Sequence, residues 1–342
     1  MLKKTSTLII ALVIVILFFT ISFLIGISGQ GQRTSEEIIF VIEPGQGVKQ
    51  ISNNLVEQEL IKKSFYFNLY VWFKDWGTKL QAGEYILDKN LSIKKIAYKL
   101  AGGDAQSDEV EIKIIEGWDI KDIAEYFDKN NIIDSKKFVS LSGSGSDSCF
   151  FVESCKTDLL TTVPKGASLE GYLFPDTYRI FEDATTEEII AKMLKNFESK
   201  ITDQMLADIK KQNKTLHEII IMASIIEKEV PIPTDMKMIS DIFYKRLEIG
   251  MPLQSDATIN YFTHKGTTRP SLNDLQVVHP YNTYKNPGLT PGPISNPGIS
   301  AIEASIYPQS NNYFYFLTTP KGKVIYTKTY ENHLREKYKY YK

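Results

Sequence analysis

Leu216–Val230 has the sequence LHEIIIMASIIEKEV, and this stretch predicts the central element of the larger part of the chain. The stretch is apolar on nearly every side from Ile219 to Ile226, so it predicts a helix that is buried on all its faces. Pro231 prevents the helix from continuing, so the helix has to end at Glu227-Lys228-Glu229. The strands predicted elsewhere are short and mixed with helices, and the expected fold class is therefore α+β.

Glu227 and Glu229 stand at the C-terminal end of this predicted helix. The negative end of the helix dipole and the neighbouring apolar side chains both disfavour a carboxylate anion, so both raise the pKa. A general acid that works near neutral pH needs such a pKa. The alternative is a solvated glutamate paired with lysine, the usual state of a carboxyl at a helix end. Periodicity cannot choose between the two glutamates, because they point to opposite sides of the helix.

Composition and motifs exclude several classes of protein. The chain has 342 residues, and 40 Lys+Arg against 41 Asp+Glu give a net charge of −1, which removes the general electrostatic case for nucleic-acid binding. Two cysteines are too few for a disulfide scaffold or a thiolate zinc site. The four histidines have no H-E-x-x-H spacing, and there is no G-x-S-x-G, Walker or G-x-G-x-x-G motif. We therefore expect no metal and no cofactor.

Residues 8–27, LIIALVIVILFFTISFLIGI, contain no charge and match the length of a membrane-spanning helix. A cleaved signal peptide has a shorter apolar core and a small-residue cleavage site, so an uncleaved anchor is favoured. Lys3 and Lys4 precede the span, and the next basic residue is Arg33, which predicts that residues 1–7 lie in the cytoplasm. We expect a single-pass protein of the cell membrane with its remaining residues outside the cytoplasm, where its substrate must also be found.

A fifteen-residue pattern occurs three times without gaps. The copies are Val41–Leu55 (VIEPGQGVKQISNNL), Ile86–Leu100 (ILDKNLSIKKIAYKL) and Lys113–Phe127 (KIIEGWDIKDIAEYF). Gly45, Asn90 and Gly117 align at a turn, where glycine or asparagine supplies a positive φ. Apolar residues at positions i, i+3 and i+7 follow the turn. The pattern predicts a strand, a tight turn and an amphipathic helix in each copy.

The first two copies, with an aromatic helix at Phe65–Phe73 between them, predict a small module over residues 38–102. The segment 102–109 (GGDAQSDE) is typical of a linker, and the third copy opens a larger domain over residues 110–342. Within that domain, residues 140–148 (SLSGSGSDS) lead to Cys149 and Cys155. Outside the cytoplasm these two cysteines either close a short disulfide loop or stay unpaired thiols.

The rest of the larger domain alternates helices with loops. Helices are predicted over Thr186–Lys200 and Asp235–Ile249, and the prolines of Pro280–Gly298 predict a loop. Tyr313–Leu317 and Lys323–Thr327 flank a turn and predict a β-hairpin.

Two stretches combine aromatic rings with carboxyl and amide groups: Ser168–Tyr178 (SLEGYLFPDTY) and Leu253–Tyr261 (LQSDATINY). Such a mixture suits carbohydrate, whose C–H faces stack on rings while its hydroxyls form directional hydrogen bonds. On cap and turn preferences alone, Asp256 is a candidate helix N-cap and Asp176 a turn residue.

Five ordered blocks of the chain together resemble the MltG family, also called YceG-like, of membrane-anchored endolytic murein transglycosylases. The blocks are EGYLFPDTY (170–178), ASIIEKEV (223–230), FYKRLEIGMPLQSDATINY (243–261), YNTY (281–284) and GLTPGPISNPG (288–298). The resemblance extends over nearly the whole chain after residue 27. It implies an N-terminal span, a LysM-like module over residues 38–102 and a YceG-like catalytic domain over residues 110–342. The insertion at residues 140–165 has no counterpart in the pattern.

The resemblance also implies a reaction and a set of residues. The first glutamate of the EKE sequence, Glu227, is implied as the catalytic acid, which protonates the oxygen between MurNAc and GlcNAc. The C6 hydroxyl of MurNAc then attacks C1, so the product has a 1,6-anhydroMurNAc end and the enzyme is a lyase. The implied substrate-binding residues are Glu170, Gln254, Asp256, Tyr281, Asn282 and Thr283. The implied partners are peptidoglycan glycan strands, the lipid bilayer and peptidoglycan polymerases, with no nucleic acid.

Two other functions are compatible with parts of this pattern. A noncatalytic, membrane-anchored peptidoglycan-binding scaffold would need the glycan-binding residues but no acid. Aminodeoxychorismate lyase is an older label of the same family. That enzyme would need PLP and a cytoplasmic location, and the predicted orientation of the anchor argues against each of these two requirements.

Overall fold

The computed structural model divides the chain into two compact units, residues 1–108 and residues 109–342. The described residues are 37–102, 109–143, 163–164, 166–181, 184–265 and 269–341, together with Phe23, Gly26 and Ile27. Apart from those three residues, the predicted span 8–27 lies outside them, as do Cys149 and Cys155. In the described part of the chain, no helix has both the length and the apolar character needed to cross a bilayer.

The first unit is a small α+β arrangement. Its elements are β1 (Glu37–Ile42), α1 (Val48–Glu57), α2 (Ser64–Phe73), β2 (Gly83–Asp88) and α3 (Ile93–Leu100). The strands β1 and β2 are antiparallel, with Phe40 opposite Tyr85. Phe40, Leu55 and Phe67 are fully buried and form the centre of this unit's core. The prediction that this unit is LysM-like stays a prediction.

The second unit is also mixed, so the predicted α+β class is confirmed. Its elements are β3 (Glu109–Lys113), α4 (Ile120–Lys129), α5 (Ser135–Ser142), β4 (Thr177–Phe181), α6 (Thr186–Lys200), α7 (Asp203–Lys211), α8 (Leu216–Glu227), α9 (Pro233–Glu248), α10 (Asp256–Thr263), α11 (Leu272–Gln276), α12 (Ile299–Ile306), β5 (Tyr315–Thr318), β6 (Val324–Thr327) and α13 (Tyr330–Tyr340). The pairs β3–β4 and β5–β6 are each antiparallel.

Helix α8 lies at the centre of the second unit. Every residue from Ile219 to Ile226 is buried, as its all-round apolar sequence predicts. The helix packs against α9 and α12, which also pack against each other. It ends at Glu227, the first of the three residues at which the sequence predicts its end, so Glu229 lies in the turn that follows it. Val230 is buried again, and the chain therefore emerges from the core for only a few residues.

The three-copy pattern has the predicted strand–turn–helix form in each place. The helices begin at the aligned residues Val48, Ile93 and Ile120. Gly45 and Gly117 have the expected positive φ of 87° and 79°. Asn90 was expected to share this conformation, and that prediction is wrong. Its backbone N–H instead donates to the Asp88 carboxylate at 2.7 Å, so a side-chain hydrogen bond makes the turn without a positive φ.

A glycine is required at position 171, where the segment between α5 and β4 passes close to α8. Its φ is +88°, and an added Cβ would lie 2.7 Å from side-chain atoms of both Ile220 and Pro293. The absence of a side chain allows residues 168–174 to approach the buried helix closely.

Gly171→Ala is expected to lower the free energy of unfolding of the second unit by about 3 kcal/mol, because it adds a steric clash to an unfavourable φ. Gly250→Ala is the matched control, since Gly250 has φ +68° and nothing within 4 Å of the added Cβ. It should cost only about 1 kcal/mol. Amide hydrogen exchange of α8 measures both changes, and equal losses would contradict the close approach at Gly171.

Candidate active site

A buried asparagine joins the segments that surround the C-terminal end of α8. The side chain of Asn296 accepts from the backbone N–H groups of Gly171 and Leu173 at 2.9 and 3.0 Å. Its amide nitrogen donates to the Trp118 carbonyl at 3.0 Å and to Glu170 at 3.1 Å. All four hydrogen-bonding positions of the amide are therefore used inside the protein. The proline-rich loop, the EGYLF segment and the turn before α4 are held in one arrangement.

Glu170 is a buried carboxyl at the N-terminus of α4. Both of its oxygens lie 3.2 Å from the Ile120 backbone nitrogen, and the Tyr261 hydroxyl lies 3.4 Å away. Burial raises the pKa of Glu170 well above its ordinary value, and the neighbouring Asp119 adds to the increase. The Ile120 N–H opposes it by favouring the anion.

Glu227 ends α8 and is turned towards the start of α12. Its Oε2 accepts from the Gly298 backbone N–H at 3.0 Å, and Gly298 is the N-cap residue of α12. Burial raises the pKa of Glu227, with the Gly298 hydrogen bond lowering it and the Glu116 carboxylate raising it. Lys228 lies next to it and donates to the Gly117 carbonyl at 2.9 Å. The carboxyl of Glu227 thus has a fixed backbone partner.

Glu229 has a stronger perturbation. Its Oε1 accepts from the Ser255 hydroxyl at 2.5 Å. Burial, the largest effect, raises the pKa of Glu229 to about 7. The Asp256 carboxylate also raises this pKa, whereas the Ser255 hydrogen bond and the Arg246 guanidinium lower it. Arg246 directs hydrogen bonds to the carbonyls of Phe314 and Leu253, at 2.9 and 2.6 Å. Two of its five N–H donors are therefore used by backbone carbonyls, and its charge lowers the pKa of Glu229 less than burial raises it.

Glu229 lines a cavity of about 760 Å³, which we call the Glu229 cavity. It is lined by Gln254, Asp256, Asn260 and Tyr284, and also by residues of β5 and of one face of α13. Aromatic rings are present in its wall beside the polar groups: Tyr284, Tyr315, Phe316, Tyr330 and Tyr341 are among the lining residues. A carboxyl that is half protonated near neutral pH thus borders a space large enough for sugar rings.

Two of the predicted binding residues line the Glu229 cavity. Asp256 is the first residue of α10 and accepts from the Tyr284 hydroxyl at 2.5 Å. The N-cap of α10 is Ser255, so the cap reading of Asp256 is wrong by one residue, and the Ser255 hydroxyl is directed to Glu229 instead. Gln254 is exposed and has φ +53°, a strained conformation for a residue with a side chain.

Asn282 and Thr283 are buried and bonded inside the protein. The Asn282 amide nitrogen donates to the carbonyls of Leu275 and Val277, and its oxygen accepts from the Tyr284 N–H. The Thr283 hydroxyl accepts from the Ser255 N–H at 3.1 Å. Their contacts position Tyr284 and Ser255, which in turn contact Asp256 and Glu229.

Glu170 and Tyr281 line a second cavity of about 520 Å³, together with Tyr261, Phe262 and His279. Helix α10 contributes Asp256 and Asn260 to the first cavity and Tyr261 and Phe262 to the second. The predicted binding residues are therefore divided between two sides of one short helix. Glu227, Asn282 and Thr283 are among the lining residues of neither cavity.

Sequence reasoning missed Arg246, Ser255 and Tyr284, although each lies inside a block that was quoted for the resemblance. Arg246 follows Phe243 at i+3 on the buried face of α9. An arginine at a position where the helical periodicity expects an apolar residue could have indicated a buried functional charge. Ser255 had none, because its bond to Glu229 joins residues 26 positions apart. Within the described residues, no group of three or more His, Cys, Asp or Glu is placed to hold a metal ion.

Comparison with known proteins identifies the family. The model of the YceG-like family matches residues 40–339. The chain belongs to the YceG-like family.

Curated relatives and a solved structure agree with this membership. The endolytic murein transglycosylase of Bacillus subtilis is 35% identical over 307 residues, covering 87% of this chain and 83% of that protein. The endolytic murein transglycosylase of Streptococcus pneumoniae is 34% identical over 313 residues, covering 86% of this chain but 56% of that longer protein. A crystal structure of a YceG-like protein from Listeria monocytogenes is 33% identical, with a TM-score of 0.58, covering 89% of this chain and all of that one.

The raised pKa of Glu229 predicts a pH dependence of stability in this YceG-like chain. The folded pKa of about 7 lies above the ordinary value of 4.5, so the folded state holds the proton more tightly. The stabilisation is present below pH 4.5 and is lost as the pH rises towards 7. Between those limits the wild type should lose at most about 3 kcal/mol relative to Glu229→Gln, which does not titrate. Hydrogen exchange at several pH values measures the difference, and a constant difference would contradict the assignment.

Proposed function

We propose that this chain is an endolytic lytic transglycosylase, which cleaves the β-1,4 bond between MurNAc and GlcNAc within peptidoglycan glycan strands. The observation that carries the proposal is Glu229, a carboxyl with a pKa of about 7 that borders a cavity lined with rings and polar groups. Membership of the YceG-like family and the names of its curated relatives support the choice of substrate.

The reaction needs one carboxyl group that first donates and then accepts a proton. Protonated Glu229 donates to the glycosidic oxygen as the bond from MurNAc C1 to that oxygen breaks. The C6 hydroxyl of the same MurNAc attacks C1, and its proton passes to the Glu229 carboxylate. The products are a GlcNAc end with a free hydroxyl and a 1,6-anhydroMurNAc end, and no water is consumed. A second enzymic carboxylate, which hydrolases require, is not needed.

The sequence prediction for the acid was Glu227, and it stays a prediction. The geometry favours Glu229, because Glu229 lines the cavity whereas the Glu227 carboxyl is bonded to the Gly298 N–H. We assign to Glu227 the role of fixing the start of α12 relative to α8. Ser255 and Asp256 act on Glu229 in opposite directions, since the hydroxyl favours the anion and the carboxylate disfavours it.

The remaining wall of the Glu229 cavity suits a sugar chain. The rings of Tyr284, Tyr315 and Tyr330 offer flat faces for the C–H surfaces of pyranoses. Gln254 and Asn260 offer amide donors and acceptors for hydroxyl and N-acetyl groups. A glycan strand bound along this wall would pass Glu229 at an internal bond, as endolytic cleavage requires.

We place the protein in the bacterial cell membrane, with one span over residues 8–27, a cytoplasmic N-terminus, and the residues after the span outside the cytoplasm. The uncharged twenty-residue stretch and the lysines before it support this placement, and peptidoglycan lies on that side of the membrane. We infer that the part of the first unit that follows the span in the chain, residues 38–102, is a LysM-like module. Peptidoglycan polymerases, which make nascent strands there, are the expected neighbours.

Glu229→Gln should remove most of the transglycosylase activity, by about 100-fold or more, because the amide cannot donate the proton. Full-length protein in detergent is incubated with intact peptidoglycan, and 1,6-anhydroMurNAc ends are counted by mass spectrometry. In the wild type, kcat/KM should fall above pH 7, where Glu229 loses its proton.

Glu227→Gln is the matched control, since the glutamine oxygen can still accept from the Gly298 N–H. It should keep the activity within about tenfold. Loss in Glu227→Gln with retention in Glu229→Gln would return the acid to Glu227. Glycan binding by the wild type without any new anhydro ends would identify a noncatalytic scaffold.

The topology predicts which residues a membrane-impermeant thiol reagent can reach. In a background with both native cysteines replaced by serine, Lys321→Cys in the exposed turn between β5 and β6 should be labelled in intact cells. Thr5→Cys, before the predicted span, should be labelled only after the cells are broken. Labelling of both positions, or of Thr5→Cys alone, in intact cells would disprove the orientation.

A further inference from the structure

The Glu229 cavity is cationic although the chain as a whole is close to neutral. Among the described residues, four lysine or arginine side chains line it: Lys228, Arg246, Arg269 and Lys337. The opposing carboxyl groups are Asp256 and Glu229, and Glu229 is partly protonated near neutral pH. The net charge of the whole chain is −1, so the positive excess is a local feature of this cavity. A cavity of this charge favours a ligand that carries anionic groups.

Two of the four cations have internal partners. Arg246 donates to the carbonyls of Phe314 and Leu253, and Lys228 donates to the carbonyl of Gly117. These bonds hold the wall of the cavity together. By contrast, Arg269 and Lys337 are exposed, and neither side chain has a hydrogen bond or ion pair to another described residue. Their charges are available to a ligand.

Arg269 and Lys337 lie on the same part of the rim. The Arg269 guanidinium carbon is 3.9 Å from the centroid of the Tyr341 ring, which orients the planar group. Lys337 lies on one face of α13, and Tyr341, the C-cap residue one turn later, donates its backbone N–H to the Lys337 carbonyl at 3.0 Å. That face also brings Tyr330, His333 and Leu334 to the cavity. The Tyr341 hydroxyl donates to the Thr318 carbonyl, which fixes this end of α13 against β5.

We propose that Arg269 and Lys337 form a subsite for carboxylates carried on the lactyl arm of MurNAc. The inference rests on the proposed function. The sugar rings and N-acetyl groups of the glycan are neutral, and the anionic groups of a murein strand project sideways from the lactyl arm. They are the carboxylates of the stem peptide or, where the peptide has been removed, the lactyl carboxylate. A guanidinium beside an ammonium matches a carboxylate, and arginine can bind it with two parallel hydrogen bonds.

The subsite would select MurNAc over GlcNAc next to the cleaved bond, because GlcNAc has no lactyl arm. It would also help to position the MurNAc whose C6 hydroxyl must attack. Exposed charge pairs are weak individually and are screened by salt, so the selection should fall with ionic strength.

The test measures binding of fluorescent glycan strands of one length to full-length protein in detergent, in a Glu229→Gln background that prevents cleavage. Three strands are compared: intact strands with stem peptides, strands stripped to the lactyl carboxylate, and strands whose carboxylates are all converted to methylamides. For the Glu229→Gln protein that keeps Arg269 and Lys337, conversion of the strand carboxylates to methylamides should raise Kd about tenfold. Arg269→Gln combined with Lys337→Gln should bind the charged and the amidated strands equally. The ratio of the Kd for intact strands to the Kd for stripped strands shows whether the stem-peptide or the lactyl carboxylate is bound.

Arg335→Gln combined with Lys339→Gln is the control, because it removes the same charge from α13 outside the cavity, where the two cations pair with Glu331 and Glu336. It should keep the tenfold preference. The subsite is disproved if amidated strands bind as tightly as charged ones, if the Arg269 and Lys337 double variant keeps the preference, or if the control loses it. Anhydro ends are counted in parallel with active protein. Their absence would refute the proposed function, while the Kd ratios would still decide on the subsite.

Discussion

The burial of α8 on all its faces is the constraint from which the rest of the second unit follows. A helix with no polar face has to be enclosed, and α9, α12 and the segment at Gly171 enclose it. The chain leaves the core at the end of α8 and returns to it at Val230. Any side chain in that short interval is close to apolar walls and yet within reach of solvent. Carboxyl groups placed there are partly desolvated whatever else surrounds them.

Two carboxyl groups occupy this interval, and their partners separate their properties. Glu227 accepts a backbone N–H at the N-terminal end of α12, where a helix favours negative charge. Glu229 has a hydroxyl partner and a neighbouring carboxylate, and its pKa rises to about 7. When two similar titratable residues lie in different environments, their pKa values diverge, and one can act as an acid while the other has a structural role. The separation here comes from tertiary contacts with α10 and α12, since the local sequence of the two glutamates is nearly symmetrical.

The elements that depend on local pattern could be predicted from the sequence. Helix α6 has the predicted bounds Thr186–Lys200, and the hairpin of β5 and β6 lies where alternation and the turn indicated it. Helix α13 was not predicted: it has no buried residue, and most of its sequence, YENHLREKYKY, is charged or polar. The pairing of β3 with β4 was also missed, since these strands are separated by more than 60 residues and neither carries a signal for the other.

The candidate site shows the same division between local and nonlocal information. The blocks that resemble the family contain Gln254 and Asp256, which line the Glu229 cavity, but also Asn282 and Thr283, which are buried and bonded internally. A recurring polar residue in a sugar-binding block can bind the ligand or satisfy a buried backbone group, and its residue type is the same in both cases. Only the packing of the proline-rich loop against α10 decides between these roles. Asn296, with its whole amide used internally, is the clearest example: it lines neither cavity, and yet it holds the three segments between which the carboxyl groups are placed.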